Sequence, residues 1–343
     1  MKKLLVAFLV FLGLCALGAG TAWWWWNRSL DEYAATPFGS AGEKVVEIPQ
    51  GATLKGVARR LAEADVISDE TRFHWAARRA GKDRQIKAGE YGFAGELLPE
   101  KILETVAAGK VKLYQCTVAE GLRSDEIAPI LERCGFGSAA GLLALMRDPA
   151  FARSLGLKGK SLEGYLYPDT YTFPKNPKPE VVLKKMVERF REEYRKADAN
   201  RNRSLTFNEH EVATLASIVE KETGAPEERG RIACVYENRL QQGKRLEADP
   251  TTIYAMILSG TWRGNLVRAD LFMVHPYNTY KVTGLPPGPI ANAGGASIEA
   301  VLNPSRCNDL FFVACGGGRH VFCPDYNCHT AAIARCQPAP KGK

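Results

Sequence analysis

An uncharged apolar segment near the N-terminus constrains this chain more than any other feature. Residues 4–26 carry no charged side chain over 23 positions, which is long enough to span a bilayer as a helix. Lys2 and Lys3 precede the segment, and Trp23–Trp26 end it. Basic residues favour the cytoplasmic side of a membrane and tryptophan favours its interface. The segment therefore predicts a single-pass anchor over residues 1–26, with the N-terminus in the cytoplasm and the rest of the chain outside it.

A cleaved signal peptide is the alternative for the same segment. The small residues Ala16, Gly18, Ala19 and Gly20 would supply a cleavage site. The length of the apolar run and its aromatic end favour a retained anchor instead.

Eight of the nine cysteines follow the apolar segment, in a compartment that permits disulfides. Cys116 and Cys134 are close enough in sequence to bridge, whereas five cysteines crowd residues 307–336 with a pairing that sequence does not fix. Zinc is an alternative there because His320 and His329 lie nearby, but no C-x-x-C pair supports it. Cys234 falls on an apolar helix face and is predicted to be plain core.

The charge of the chain excludes little by itself. Lys and Arg number 46 against 38 Asp and Glu, which gives a formal net charge of +8. The basic residues are scattered and no aromatic and basic platform is present, so we predict no nucleic-acid partner. An anionic wall polymer or lipid headgroups fit an extracytoplasmic chain better.

An internal repeat follows a polar stretch, residues 27–44, which we interpret as a juxtamembrane linker. Ile48-x-x-Gly51 and the helix pattern after it recur 70 residues later as Val118-x-x-Gly121 with a second helix pattern. Each copy predicts a short strand, a turn glycine and an amphipathic helix, as in the first half of a LysM-like unit. We therefore predict a LysM-like region over residues 45–135, followed by a mixed α/β domain over residues 136–343.

The most informative helix of that second domain is predicted from Thr206 to Thr223. Thr206 and Glu209 have the spacing of a capping box, and the apolar residues after them share one face at about 100° per residue. Glu220 lies at one edge of that face and Glu222 at the other, so the two carboxylates cannot face each other across a substrate. A calcium loop over residues 198–209 is an alternative, but Arg203 occupies its sixth position, where glycine is needed.

Five motifs around this helix occur in one order: ASIVEKET at residues 216–223, NRL at 238–240, DPT at 249–251, YNTY at 277–280 and GLPPGPI at 284–290. Together they resemble the YceG-like family of endolytic murein transglycosylases, over about residues 45 to 330. The resemblance implies an α+β fold with a single N-terminal transmembrane helix, a LysM-like α/β subdomain and a mixed α/β catalytic domain. It also implies that Glu220, directly after the SIV triplet, is the catalytic acid.

The activity that this resemblance implies is cleavage of the bond between N-acetylmuramic acid and N-acetylglucosamine in peptidoglycan, with formation of 1,6-anhydro ends and no cofactor or metal. The implied setting is the bacterial inner membrane, with the catalytic domain in the periplasm, glycan strands as substrate and peptidoglycan synthases as possible partners. Such an enzyme would limit the length of nascent strands. The candidate substrate-binding residues are Asn238, Asp249, Thr251, Tyr277, Asn278, Thr279 and Tyr280.

Two other functions compete with this interpretation. A muramidase-type hydrolase would use a second carboxylate, with Asp249 and Asp270 as candidates, to activate water. A noncatalytic scaffold would bind the wall through the LysM-like region and hold other proteins at the membrane.

Overall fold

The computed structural model describes residues 2–201 and 206–337. It forms two compact units, Met1–Tyr114 and Gln115–Lys343, so the division falls earlier than the predicted boundary after residue 135. The first copy of the repeat lies in the first unit and the second copy lies in the second unit. The calcium-loop alternative includes residues 202–205, which lie outside the described residues.

The first unit begins with one long helix, α1. Helix α1 is Lys2–Ala35, and it is the one described helix that is long and apolar enough to cross a membrane. Helix α1 continues past the apolar segment to Ala35, into the stretch of residues 27–44 interpreted above as a linker. Leu30 and Tyr33 lie three residues apart on its last turns, and both are buried. Packing of these side chains on the first unit explains why the helix does not end at the tryptophans.

The rest of the first unit is a two-stranded sheet covered by helices. Strands β1 and β2 are antiparallel, with Glu43 opposite Ala94 and Ile48 opposite Gly89. Apolar side chains of the strands and helices share one core, which includes Val57, Tyr91 and Ile102. The elements after α1 are β1 (Glu43–Ile48), α2 (Leu54–Glu63), α3 (Glu70–Arg79), β2 (Gly89–Ala94) and α4 (Pro99–Ala108).

Both copies of the repeat have the predicted strand, turn glycine and helix. Gly51 joins β1 to α2, and Gly121 joins strand β3 (Tyr114–Thr117) to helix α5 (Ser124–Arg133), with φ of 77° and 74°. This left-handed backbone favours glycine because a Cβ would be strained there. Sugar binding by a LysM-like region stays a prediction.

The second unit is mostly helical, with two small sheets. Strands β3 and β4 pair in one sheet, and β5 and β6 form an antiparallel hairpin. Its elements are β3 (Tyr114–Thr117), α5 (Ser124–Arg133), α6 (Ala139–Met146), α7 (Pro149–Ser154), β4 (Thr170–Phe173), α8 (Pro179–Asp198), α9 (Glu209–Glu222), α10 (Arg229–Gln241), α11 (Asp249–Leu258), α12 (Gly295–Leu302), β5 (Phe311–Ala314), β6 (His320–Cys323) and α13 (Tyr326–Cys336).

Four disulfides join the eight cysteines after α1. Cys116 bonds to Cys134, as the sequence predicts. Cys234 bonds to Cys307, so the prediction of a plain core cysteine is wrong. Its partner is distant in sequence, and only the packing of α10 against the 303–310 segment brings the two sulfurs together. The remaining pairs are Cys315 with Cys336 and Cys323 with Cys328.

Candidate active site

Helix α9 lies at the centre of the second unit and positions both carboxylates. It begins after Asn208, whose side chain accepts from the N–H groups of His210 and Glu211 while Glu211 caps in return. The predicted capping box of Thr206 and Glu209 is therefore wrong by two residues. Every residue from 212 to 219 is buried, because α10, α11 and α12 pack around the helix. The buried surface of α9 is therefore wider than the single apolar face that the periodicity predicts. The glutamates that follow it, Glu220 and Glu222, lie against different neighbours.

Glu220 lies against the start of helix α12. Ser297 Oγ donates to Glu220 Oε2 over 2.6 Å, and the N–H of Gly294 donates to the same oxygen over 3.3 Å. Gly294 is the residue that caps α12, and a negative charge is favourable at a helix N-terminus. A guanidinium nitrogen of Arg229 lies 3.9 Å from the other oxygen. These contacts suit a carboxylate that fixes α12 to α9.

Glu120 is a second carboxylate on this side of α9, and sequence reasoning missed it. A Cβ placed on Gly294 would lie 2.0 Å from Glu120 Oε1, so the carboxylate packs directly on that glycine. Partial burial and the Glu220 charge raise the pKa of Glu120, and Arg229 opposes them. The Glu220 side of the helix thus holds two carboxylates and one guanidinium in a tight polar cluster. The signal that could have indicated Glu120 is its position directly before Gly121, the turn glycine of the second repeat copy.

Glu222 lies on the other edge of α9, in a different environment. Tyr236 donates its hydroxyl hydrogen to Glu222 Oε1 over 3.1 Å. Burial, and secondarily the charge of Asp249, raise the pKa of Glu222 to about 7, although the Tyr236 hydrogen bond opposes them. A carboxyl group that titrates near neutral pH can donate and accept a proton under physiological conditions.

A cavity of about 320 Å³ opens beside Glu222. It combines one candidate acid, two further carboxylates, Glu247 and Asp249, and several aromatic rings, a composition that suits a saccharide. The side chains that matter below are Glu222, Tyr236, Asp249, Tyr280, Phe311 and His329. Glu220 does not line this cavity.

Two of the predicted substrate-binding residues line the cavity. Tyr280 donates its hydroxyl hydrogen to Asp249 Oδ1 over 2.6 Å, so the two side chains are held together. Asp249 is the first residue of α11, but its side chain does not cap the helix, because the N-cap is Ala248 and has no side-chain hydrogen bond. The Asp249 carboxylate is therefore exposed and faces the cavity instead.

Three others are fully buried beside it. Thr251, Asn278 and Thr279 have no exposed surface, and their hydrogen bonds hold the YNTY loop on α11. The Thr251 and Thr279 hydroxyl oxygens lie 2.8 Å apart, and Thr252 donates to Asn278 Oδ1 over 2.9 Å. Substrate binding by these three residues stays a prediction, while their contacts place Tyr280 in the cavity.

Asn238 and Tyr277 do not line the cavity. The Asn238 amide donates to the carbonyl oxygens of Cys307 and Asp309 over 3.1 and 3.0 Å. The ring of Tyr277 packs on Tyr254 with centroids 4.9 Å apart. Their substrate-binding role stays a prediction.

The cavity wall formed by residues 310–337 is the part that sequence reasoning missed. The hairpin itself follows a local pattern, because residues 310–313 and 320–323 flank three glycines at 316–318, and its strands pair as antiparallel neighbours. Its place opposite α9 does not follow from sequence, because no local pattern indicates which surface a hairpin covers. Among the described residues no group of three or more His, Cys, Asp or Glu side chains forms a metal site.

The comparisons with known proteins agree with this fold. The family model for the YceG-like family matches residues 46–335. The chain is 31% identical to the endolytic murein transglycosylase of Bacillus subtilis, over 84% of this chain and 83% of the relative. It is 27% identical to that of Streptococcus pneumoniae strain D39, over 91% of this chain but 61% of the longer relative.

A crystal structure of a YceG-like protein from Listeria monocytogenes is similar with a TM-score of 0.54 and 31% identity, covering 85% of this chain and 99% of that one. The chain therefore belongs to the YceG-like family.

Proposed function

We propose that the protein is a membrane-anchored lytic transglycosylase that cleaves peptidoglycan glycan strands without a cofactor. The family, and relatives named endolytic murein transglycosylases, support the class of enzyme. One observation carries the mechanism: a carboxyl group, Glu222, whose pKa is raised to about 7, lies in an aromatic-lined cavity.

We assign the proton donor to Glu222, and so depart from the resemblance, which implies Glu220. Glu220 accepts two hydrogen bonds at the start of α12 and lies near Arg229, and it does not line the cavity. A general acid must hold a proton before the reaction and must reach the substrate. The raised pKa of Glu222 and its place in the cavity lining support this assignment.

The proposed reaction needs one carboxyl group. Protonated Glu222 gives its proton to the glycosidic oxygen between N-acetylmuramic acid and N-acetylglucosamine, and the bond from C1 to that oxygen breaks. The C6 hydroxyl of the muramic acid then attacks C1, and its proton passes to the Glu222 carboxylate. A 1,6-anhydro ring closes, no water enters, and Glu222 ends in its starting state.

The neighbours of Glu222 suit both halves of this cycle. The Tyr236 hydroxyl stabilises the carboxylate that forms after the first proton transfer, because it donates to Oε1. Asp249 favours return of the proton because a second negative charge nearby disfavours ionisation. Tyr280 holds Asp249 in place.

A hydrolase is the second candidate, because Asp249 lines the same cavity as Glu222 and two carboxylates can activate water. The other sequence candidate, Asp270, pairs with Arg263 over 2.8 Å and does not line the cavity. Labelled water distinguishes the two reactions, because its oxygen enters the new reducing end only in hydrolysis.

Helix α1 supports the proposed setting. Its apolar length fits a membrane anchor, and Lys2 and Lys3 favour a cytoplasmic N-terminus. We propose the bacterial inner membrane, a periplasmic catalytic unit, and a role in limiting nascent strand length beside peptidoglycan synthases.

The experiment is digestion of purified peptidoglycan by the full chain in detergent, in ¹⁸O-labelled water, with mass spectrometry of the fragments. We expect unlabelled 1,6-anhydro ends and mixed fragment lengths from the first minutes. Labelled reducing ends would instead support the hydrolase and make Asp249 the next residue to substitute. Binding without any cleavage would support the scaffold.

A further inference from the structure

The last described segment, residues 310–337, is a small unit that we call the stapled module. It consists of β5, β6 and α13, and its core has three buried residues, Val313, Cys323 and Ala332. So small a core contributes little hydrophobic stabilisation, and small units of this kind usually depend on disulfides.

Two disulfides hold the stapled module together. Cys315–Cys336 joins the residue after β5 to the end of α13, and Cys323–Cys328 joins the end of β6 to the first turn of α13. The position of the hairpin relative to α13 therefore depends on these covalent links more than on the burial of apolar side chains.

The base of the module is attached separately to α10. Asp309 pairs with Arg231 over 2.7 Å, and Cys307 bonds to Cys234. On the other side, Glu228 accepts from the backbone N–H of His320 over 3.0 Å. Gly224, two residues after Glu222, approaches the hairpin so closely that a Cβ would lie 2.4 Å from the Gly318 carbonyl oxygen. The module is thus fixed next to the C-terminal end of α9.

The module supplies the wall of the cavity that faces Glu222. Phe311 and Phe312 of β5 and His329 and Ile333 of α13 line it. His329 stacks on Phe311 with ring centroids 4.8 Å apart. Burial and the nearby Arg239 charge lower the pKa of His329, so its imidazole is neutral at pH 7 and has one donor and one acceptor. Aromatic faces and a neutral hydrogen-bonding ring suit a sugar ring.

We infer that the stapled module forms the saccharide-binding half of the site opposite Glu222, and that the Cys315–Cys336 disulfide keeps this half in its binding shape. The inference rests on the proposed function for its ligand, a ring of the glycan strand. It assigns substrate affinity to the module and proton transfer to α9.

The chain provides a matched control for this disulfide. Cys315–Cys336 closes a loop of 21 residues, and Cys116–Cys134 closes one of 18, so their removal should relax the unfolded chain to a similar extent. Only the first pair belongs to the cavity wall. We would compare the Cys315→Ser/Cys336→Ser and Cys116→Ser/Cys134→Ser variants, each in the full chain and below its unfolding transition.

We expect removal of Cys315–Cys336 to raise KM for uncrosslinked glycan strands about tenfold with kcat within about threefold, because the acid stays in place. The control variant should keep both constants within about twofold. Equal KM values in the two variants, or a loss in kcat alone, would overturn the inference.

A second variant covers the case in which the first does not fold. His329→Ala leaves all four disulfides in place, and we expect it to weaken binding of the same strands to the Glu222→Gln protein about fivefold. Unchanged binding would overturn the inference. Because this measurement needs no turnover, it is distinct from failure of the proposed function, which would appear as wild-type protein that binds strands and releases no anhydro ends.

Discussion

Two carboxylates of α9 stand two residues apart and have opposite surroundings. Glu220 accepts hydrogen bonds at the start of α12 beside Arg229, whereas Glu222 has one hydroxyl partner and lies in a cavity. Residues at this spacing point about 200° apart on a helix, so the neighbouring helices decide what each one meets. The two surroundings support our proposal that one glutamate of this motif holds the structure and the other transfers the proton.

The largest expected difference between the two is in catalysis. Glu222→Gln keeps the shape of the side chain but cannot transfer a proton, so we expect cleavage to fall on the order of 10³-fold. The measurement is the initial rate of anhydro-end formation. Glu188→Gln, an exposed glutamate of α8 in a weak pair with Lys184, is the control for loss of one charge. If Glu222→Gln stays within tenfold of wild type while Glu220→Gln is inactive, Glu220 is the acid.

The pH dependence of cleavage sharpens the same comparison. The donor must be protonated, and the pKa of Glu222 is about 7. Activity should therefore be level below about pH 6 and fall about tenfold per unit above pH 7, reaching about a hundredfold loss at pH 9. Glu220→Gln should keep this break at the same pH. A break that moves in that variant would transfer the titrating role to Glu220.

Stability should also change with pH at Glu222. Its pKa in the folded chain is raised from 4.5 to about 7, so the folded state favours the protonated carboxyl group. The free energy of unfolding that this group contributes is fully present below pH 4.5 and is lost as pH rises through 7. Glu222→Gln cannot ionise and should gain about 2 kcal/mol over wild type between pH 5 and 8, a figure reduced because the residue is partly exposed. Denaturant unfolding of both proteins at pH 5 and at pH 8 measures this difference in the free energy of unfolding. A constant difference between the two proteins would contradict the raised pKa.

The smallest effect is expected at Glu220. Glu220→Gln keeps an acceptor for Ser297 and Gly294 but loses the charge, so we expect about 1 kcal/mol of destabilisation and less than a tenfold loss of activity. Thermal unfolding together with the rate assay checks both. Loss of activity without loss of stability would indicate a direct role in the reaction.

Local patterns determined much of this protein from sequence alone. The apolar segment, the strand, glycine and helix of each repeat copy, the β5–β6 hairpin and the bond between Cys116 and Cys134 all depend on residues close in sequence. The five ordered motifs indicated the family, which the comparisons confirm.

The tertiary structure decided what depends on distant packing. Leu30 and Tyr33 extend α1 because the first unit covers them, and Cys234 pairs with Cys307 because α10 meets a segment far along the chain. Periodicity gave the angle between Glu220 and Glu222 but not their surroundings. The pKa of a carboxyl group depends on desolvation and charge from every side. At Glu222 the causes are burial, the charge of Asp249 and the hydrogen bond of Tyr236, and no single stretch of sequence brings these together.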